Sequence, residues 1–87
     1  MSTEEEFYEV ANVTLKPTTN VNAAVQVAES AKHQDGTAFA AVKHTEVSPD
    51  GVKLTLHGKV PFAGIVAARL VTQYGGHSSE HLQKKGT

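Results

Sequence analysis

The chain of 87 residues has no cysteine and no tryptophan, a single isoleucine, and only five aromatic residues of the Phe and Tyr type. Without cysteine there can be no disulfide framework, no thiolate zinc ligand and no thiol nucleophile. Small secreted domains commonly depend on disulfides, so the chain is expected to work in a reducing interior, with cytoplasmic localisation. Nothing in it approaches the roughly 20 consecutive apolar residues of a membrane-spanning helix, and no membrane partner is expected. Basic residues are missing before Lys16, while Glu4, Glu5, Glu6 and Glu9 all precede Val10. An acidic start is the reverse of a signal peptide's basic one. Residues 1–6 read as a disordered acidic tail.

From Val10 onward the eight lysines and arginines meet only five acids, and five histidines join them. This local basicity falls short of the strongly basic footprint usual for nucleic-acid modules. The apolar content is dominated by valine and alanine. A core of small residues buries little area per residue, and a chain of this length is marginal in stability by itself. Self-association that hides further surface would suit such a core, though the core does not require it.

Hydrophobic period marks the elements. Ala11, Val13 and Leu15 alternate with Asn12, Thr14 and Lys16, as in a half-buried strand, and Pro17 ends it. Thr18, Thr19 and Asn20 are N-cap candidates for a helix from about Val21 to His33. Its narrow apolar face is Val21, Ala24, Val25, Ala28 and Ala31, with Lys32 and His33 in the last turn. A strand is expected over residues 37–47, then a Ser48-Pro49-Asp50-Gly51 turn, then a strand from Val52 to His57. Gly58 turns the chain into a second helix that opens near Pro61 and stops at Gly75-Gly76. Phe62, Val66, Leu70 and Tyr74 form its stripe, flanked by Ile65.

The order β-α-β-β-α predicts an α+β domain over residues 7–76, a ferredoxin-like sandwich with two helices on one face of a small antiparallel-rich sheet. Residues 77–87 carry one apolar residue, Leu82, and read as a polar C-terminal tail, so the final strand is expected to be absent or short.

Two partial resemblances involve the second helix. The segment 51–70 resembles the strand–Gly–x–Val–helix portion of bacterial microcompartment shell domains, with Gly58-Lys59-Val60 where that family usually has Gly-Asp-Val. That resemblance implies tiling of identical subunits. The family's glycine after the first strand and its last strand have no counterpart here. Gly58-Lys59-Val60-Pro61-Phe62 is similar to the Gly-Lys-x-Pro turn with which Alba-type chromatin proteins contact nucleic acid. In Alba the turn follows the first strand; here it follows the third. Each covers a small part of the chain, which is assigned to neither family.

The chemistry-bearing patterns are few. His77-Ser78-Ser79-Glu80-His81 fits H-x-x-E-H, which on a helix would set two imidazoles one turn apart beside a carboxylate. A third ligand and a cleft are wanting, so a solvated tail is expected, and His77, Glu80 and His81 stand only as weak metal candidates. Lys43, Lys53, His57, Lys59 and Arg69 are the cations available for nucleic-acid or partner contact, with Lys59 close to a helix N-terminus that could receive a phosphate. None of the serines sits in a nucleophile elbow, and no carboxylate pair has a mechanistic spacing. The expectation is a non-enzymatic interaction or regulatory protein without a cofactor, acting through a protein partner or copies of itself. Accessory proteins of mobile elements and phages are often of this kind. The competing expectation is nucleic-acid binding through the Gly58-Lys59 turn.

Overall fold

The computed structural model describes residues 7–84. Six elements follow one another: β1 (Phe7–Leu15), α1 (Val21–Ser30), β2 (Ala40–Ser48), β3 (Gly51–Gly58), α2 (Phe62–Tyr74) and β4 (Gly76–Lys84). The four strands form one antiparallel sheet in the order β2-β3-β1-β4. The α+β class expected from the sequence is present. The expected acidic tail, residues 1–6, lies outside the described residues, as do residues 85–87.

Both helices pack on the same face. Ala11, Val13 and Leu15 from β1 and Val52, Leu54 and Leu56 from β3 meet Ala24 and Ala28 of α1 and Ala63, Val66, Ala67 and Leu70 of α2 in one buried cluster. These are the alternating strand positions and narrow helix stripes legible in the chain. The alanines bring the helix backbones close to the sheet, and the leucines and valines of the two central strands supply most of the buried volume. Ile65 departs from the expectation: it is 45% exposed, on the side of α2 away from the sheet.

Asn20 is the N-cap of α1, its Oδ1 accepting from the Ala23 amide at 3.0 Å. The helix ends three residues before the expected His33, because Ala31 turns extended and the chain enters a tight loop with its own hydrogen bonds. Lys32 bridges to Ala38, and the His33 amide donates to the Thr37 carbonyl at 2.8 Å. Lys32 and His33 are thus loop residues rather than dipole-complementing helix residues, and β2 begins at Ala40 rather than Thr37.

The largest correction is at the C-terminal end. The final strand is neither absent nor short: β4 runs nine residues, from Gly76 paired with Leu15 to Lys84 paired with Phe7. Residues 77–84, polar by composition, therefore lie along β1. The chain reverses at Gly75 and Gly76, with φ of 83° and 145°, both in the region that favours glycine. The Gly75 carbonyl accepts from the Lys16 amide at 3.1 Å, and a Cβ at Gly76 would collide with the Thr14 carbonyl oxygen. Among the described residues, no helix is long and apolar enough to cross a membrane.

Candidate interaction surface

Directly opposed residues in an antiparallel sheet point to the same face. The buried residues of β1 and β3 point to the helices, so the intervening positions point away from them. That uncovered face carries Tyr8, Val10, Asn12 and Thr14 from β1, and Lys53, Thr55 and His57 from β3. It also carries His44 and Glu46 from β2, and His77, Ser79, His81 and Gln83 from β4. Four of the five histidines gather there.

Its centre is ordered by local contacts. The Tyr8 and His57 rings lie 5.0 Å apart, tilted by 39°. Val10 stands between His57 and His81 in register and is only 6% exposed, although it faces away from both helices. The aromatic and imidazole rings on neighbouring strands thus make a second, very small apolar spot on the open face. Burial holds the His57 imidazole below its ordinary value of 6.5, with further lowering from the nearby charges of Lys43 and His81. The Thr55 hydroxyl donates to Asn12 Oδ1 at 3.4 Å, and Lys53 meets Glu46 at 4.0 Å in an exposed cross-strand pair.

The sheet has two unlike edges. In β2 the register with β3 shifts between Val42 and His44, leaving Lys43 at a bulge. Residues 43–47 of that strand are all exposed, Val47 at 67%. In β4 the pairing with β1 is continuous over its whole length, and every residue except Ser78 is exposed.

A shallow cleft of about 310 Å³ opens where α1 exits and α2 begins, lined by His33, Asp35, Thr37, Phe39, His57 and Lys59 among others. Beneath it, His33, Phe39 and Phe62 form a ring cluster with centroids 4.4 to 4.7 Å apart. Asp35 accepts from both the hydroxyl and the amide of Thr37, at 2.7 and 3.0 Å. These bonds hold its carboxyl below the usual aspartate value, the side-chain bond foremost, with smaller help from His33 and Lys59.

The sequence-derived candidates divide by layer. Lys53 and His57 belong to the open face, Lys43 to the β2 bulge, and Lys59 to the turn beside the cleft. Arg69 is exposed on α2, in the helix layer across the sheet from the first three, so the five cations do not form one patch. The N-terminus of α2 is already engaged: the Gly64 amide donates to Glu9 Oε1 at 2.6 Å, and the Phe62 amide to the Lys59 carbonyl at 2.7 Å. A carboxylate of the protein itself therefore sits where a phosphate would bind. H-x-x-E-H lies on a strand, which sends His77 and His81 to the open face and Glu80 to the opposite one. Among the described residues, no three metal-ligating side chains converge.

Sequence reasoning missed the Tyr8–His57 contact and the ring cluster that His33 joins, His33 having read as a helix-terminal cation. Neither pairing has a local signature, since their partners lie in β3, in the residue before β2 and in α2. Comparison of the chain with protein-family models, curated proteins and solved structures finds no match.

Proposed function

We propose that this chain is a small non-enzymatic interaction protein of ferredoxin-like architecture, which works by holding another protein chain or a copy of itself against the uncovered face or an open edge of its sheet. The observation that carries this reading is the one-sided helix layer. An antiparallel sheet with helices on one face leaves ladder groups on both edges and a whole face of side chains available to a partner. That face offers hydroxyls, two amides, imidazoles and one tyrosine, the adaptable polar and aromatic groups suited to protein recognition. The absence of cysteine suits work in the cytoplasm.

Nucleic-acid binding is the reading this displaces. Glu9 occupies the α2 N-terminus, Asp35 stands close to Lys59, and Arg69 is on the other layer. These features disperse the positive field that phosphate contact needs.

The test is affinity capture from the source cells, followed by direct binding of any captured protein to the purified chain. A partner that binds directly and is lost on Thr55→Glu, or a solution mass above the 9.2 kDa of one chain, is the expected result. A strictly monomeric mass with no directly binding partner overturns it. Retention on random-sequence DNA or RNA that falls steeply with salt and vanishes in Lys59→Ala would put nucleic-acid binding in its place.

A further inference from the structure

We propose that β4 is a self-pairing edge, and that two copies join antiparallel, β4 against β4, about a two-fold axis through Leu82. The two four-stranded sheets would then run on as one, with both helix layers on the same side. This inference rests on the interaction reading above and names its surface and its occupant.

The two edges are not equally open. Natural proteins blunt exposed edges with lysines and bulges. The β2 edge has both at once, since Lys43 sits at the register shift. The β4 edge has a lysine only at its last residue, Lys84, and neither a bulge nor a proline along its nine residues, and it is exposed on both faces. It presents a straight, accessible row of backbone donors and acceptors, which is what a further antiparallel strand requires.

The side chains select the register. When a strand pairs with its own copy about residue k, residue k+n lies opposite k−n of the other copy, on the same face. Centred on Leu82, the helix-side row sets Leu82 against its copy and Glu80 against Lys84 in both directions, while His81 meets Gln83 on the open face. Centred on Glu80, the carboxylate would face itself. Centred on His81, Glu80 would face Leu82. Only the Leu82 register combines an apolar pair with opposite charges. Leu82 is otherwise hard to account for, being 58% exposed in a strand with no other apolar side chain. Burying it against a copy removes that surface from water.

Glu80 also has reason to accept a cation. A Cβ placed on Gly64 would lie 3.0 Å from Glu80 Oε1 and 3.4 Å from Glu9 Oε1, so two carboxylates converge on the start of α2. A lysine brought by a second copy would offset their repulsion, more so than in an isolated surface pair.

Light scattering over a concentration series reads the assembly, and charge exchange reads the register. Glu80→Lys alone and Lys84→Glu alone each place like charges opposite one another twice per dimer, and each should weaken the dimer by about tenfold or more. The double variant restores opposite charges and should recover it. Circular dichroism confirms that each variant is folded. The chain has no cysteine, so Leu82→Cys creates a single thiol that should oxidise to a disulfide-linked dimer, while Val47→Cys on the β2 edge should stay monomeric.

A chain that remains monomeric at all concentrations, with no Leu82→Cys cross-link, overturns the proposal. If that monomer still binds a protein partner directly, the interaction reading stands and only self-pairing fails. A monomer with no partner removes both. A dimer indifferent to the charge exchange overturns the Leu82 register, and one cross-linked by Val47→Cys instead of Leu82→Cys overturns β4 as the edge.

Discussion

Glu9 of β1 caps α2: its Oε1 accepts the Gly64 amide at 2.6 Å, a bond between residues 55 positions apart in the chain. The carboxylate satisfies one of the free N–H groups in the first turn and lies at the positive end of the helix dipole. The helix has no side-chain cap of its own, since its N-cap position is held by Pro61. A strand residue therefore does the work that a local serine or aspartate usually does. Glu9→Ala should cost about 1–2 kcal/mol of stability, as loss of a charged cap does. Glu9→Gln, which keeps an acceptor but loses the charge, should cost about half as much. Urea unfolding of the two variants measures the difference. Equal loss in both would assign the whole effect to charge rather than to the hydrogen bond.

Gly76 sets the start of β4 against β1. Its φ of 145° and the Thr14 carbonyl that faces it leave no place for a side chain. Gly76→Ala should destabilise the fold by about 2–3 kcal/mol, in the range of strain at a conformation reserved for glycine. Loss should begin at the edge, so amide exchange in residues 77–84 should speed up before that of β1 and β3. Uniform acceleration across the sheet would show that β4 does not open separately.

The chain reveals those elements that bury a face and hides those that do not. β1, β3 and both helices were legible because Val13, Leu15, Leu54, Leu56, Val66 and Leu70 recur at strand or helix period and all become buried. β4 contributes ladder hydrogen bonds but almost no burial, so His77, Ser79 and His81 alternate with Ser78, Glu80 and Leu82 without any contrast of hydropathy. Only Gly75-Gly76 pointed to it, and two glycines signal a helix stop as readily as a reversal onto β1. The surface was half legible. Lys53 and His57 followed from strand parity, whereas the Tyr8–His57 contact depends on β1 and β3 being neighbours, and His33 on three segments meeting. The early end of α1 was illegible for a similar reason: helix propensity over 31–33 gives way to the hydrogen bonds of the loop that seats His33 on Phe39.

The rings of His33, Phe39 and Phe62 join the exit of α1, the approach to β2 and the start of α2 at one end of the molecule. His33 meets Phe62 edge-on at 89°, an arrangement favoured by the ring quadrupoles. Because both phenylalanines are only partly buried, Phe62→Ala should cost about 2 kcal/mol, less than a full core truncation. His33→Ala should cost about 1 kcal/mol. The two losses should not add, since both remove the same contact, and a double-mutant cycle should show coupling of about 0.5–1 kcal/mol. Strict additivity would mean that the rings are merely adjacent.

His57 makes stability depend on pH near neutrality. Its imidazole lies below the ordinary 6.5 because burial disfavours the charged form, and Lys43 and His81 add like-charge repulsion. In the unfolded chain the same ring takes up its proton at the ordinary value. Between the two values the unfolded state binds more protons, so stability is fully present above 6.5 and falls as pH drops toward the folded value. Thermal melting should therefore move to lower temperature on acidification from about pH 7.5 to 5.5, a window set by histidine. His57→Gln should reduce that shift, and Lys43→Ala should raise the His57 titration toward its unperturbed position when followed by ring proton resonances. A melting profile that is just as steep in His57→Gln would show that the pH dependence arises elsewhere.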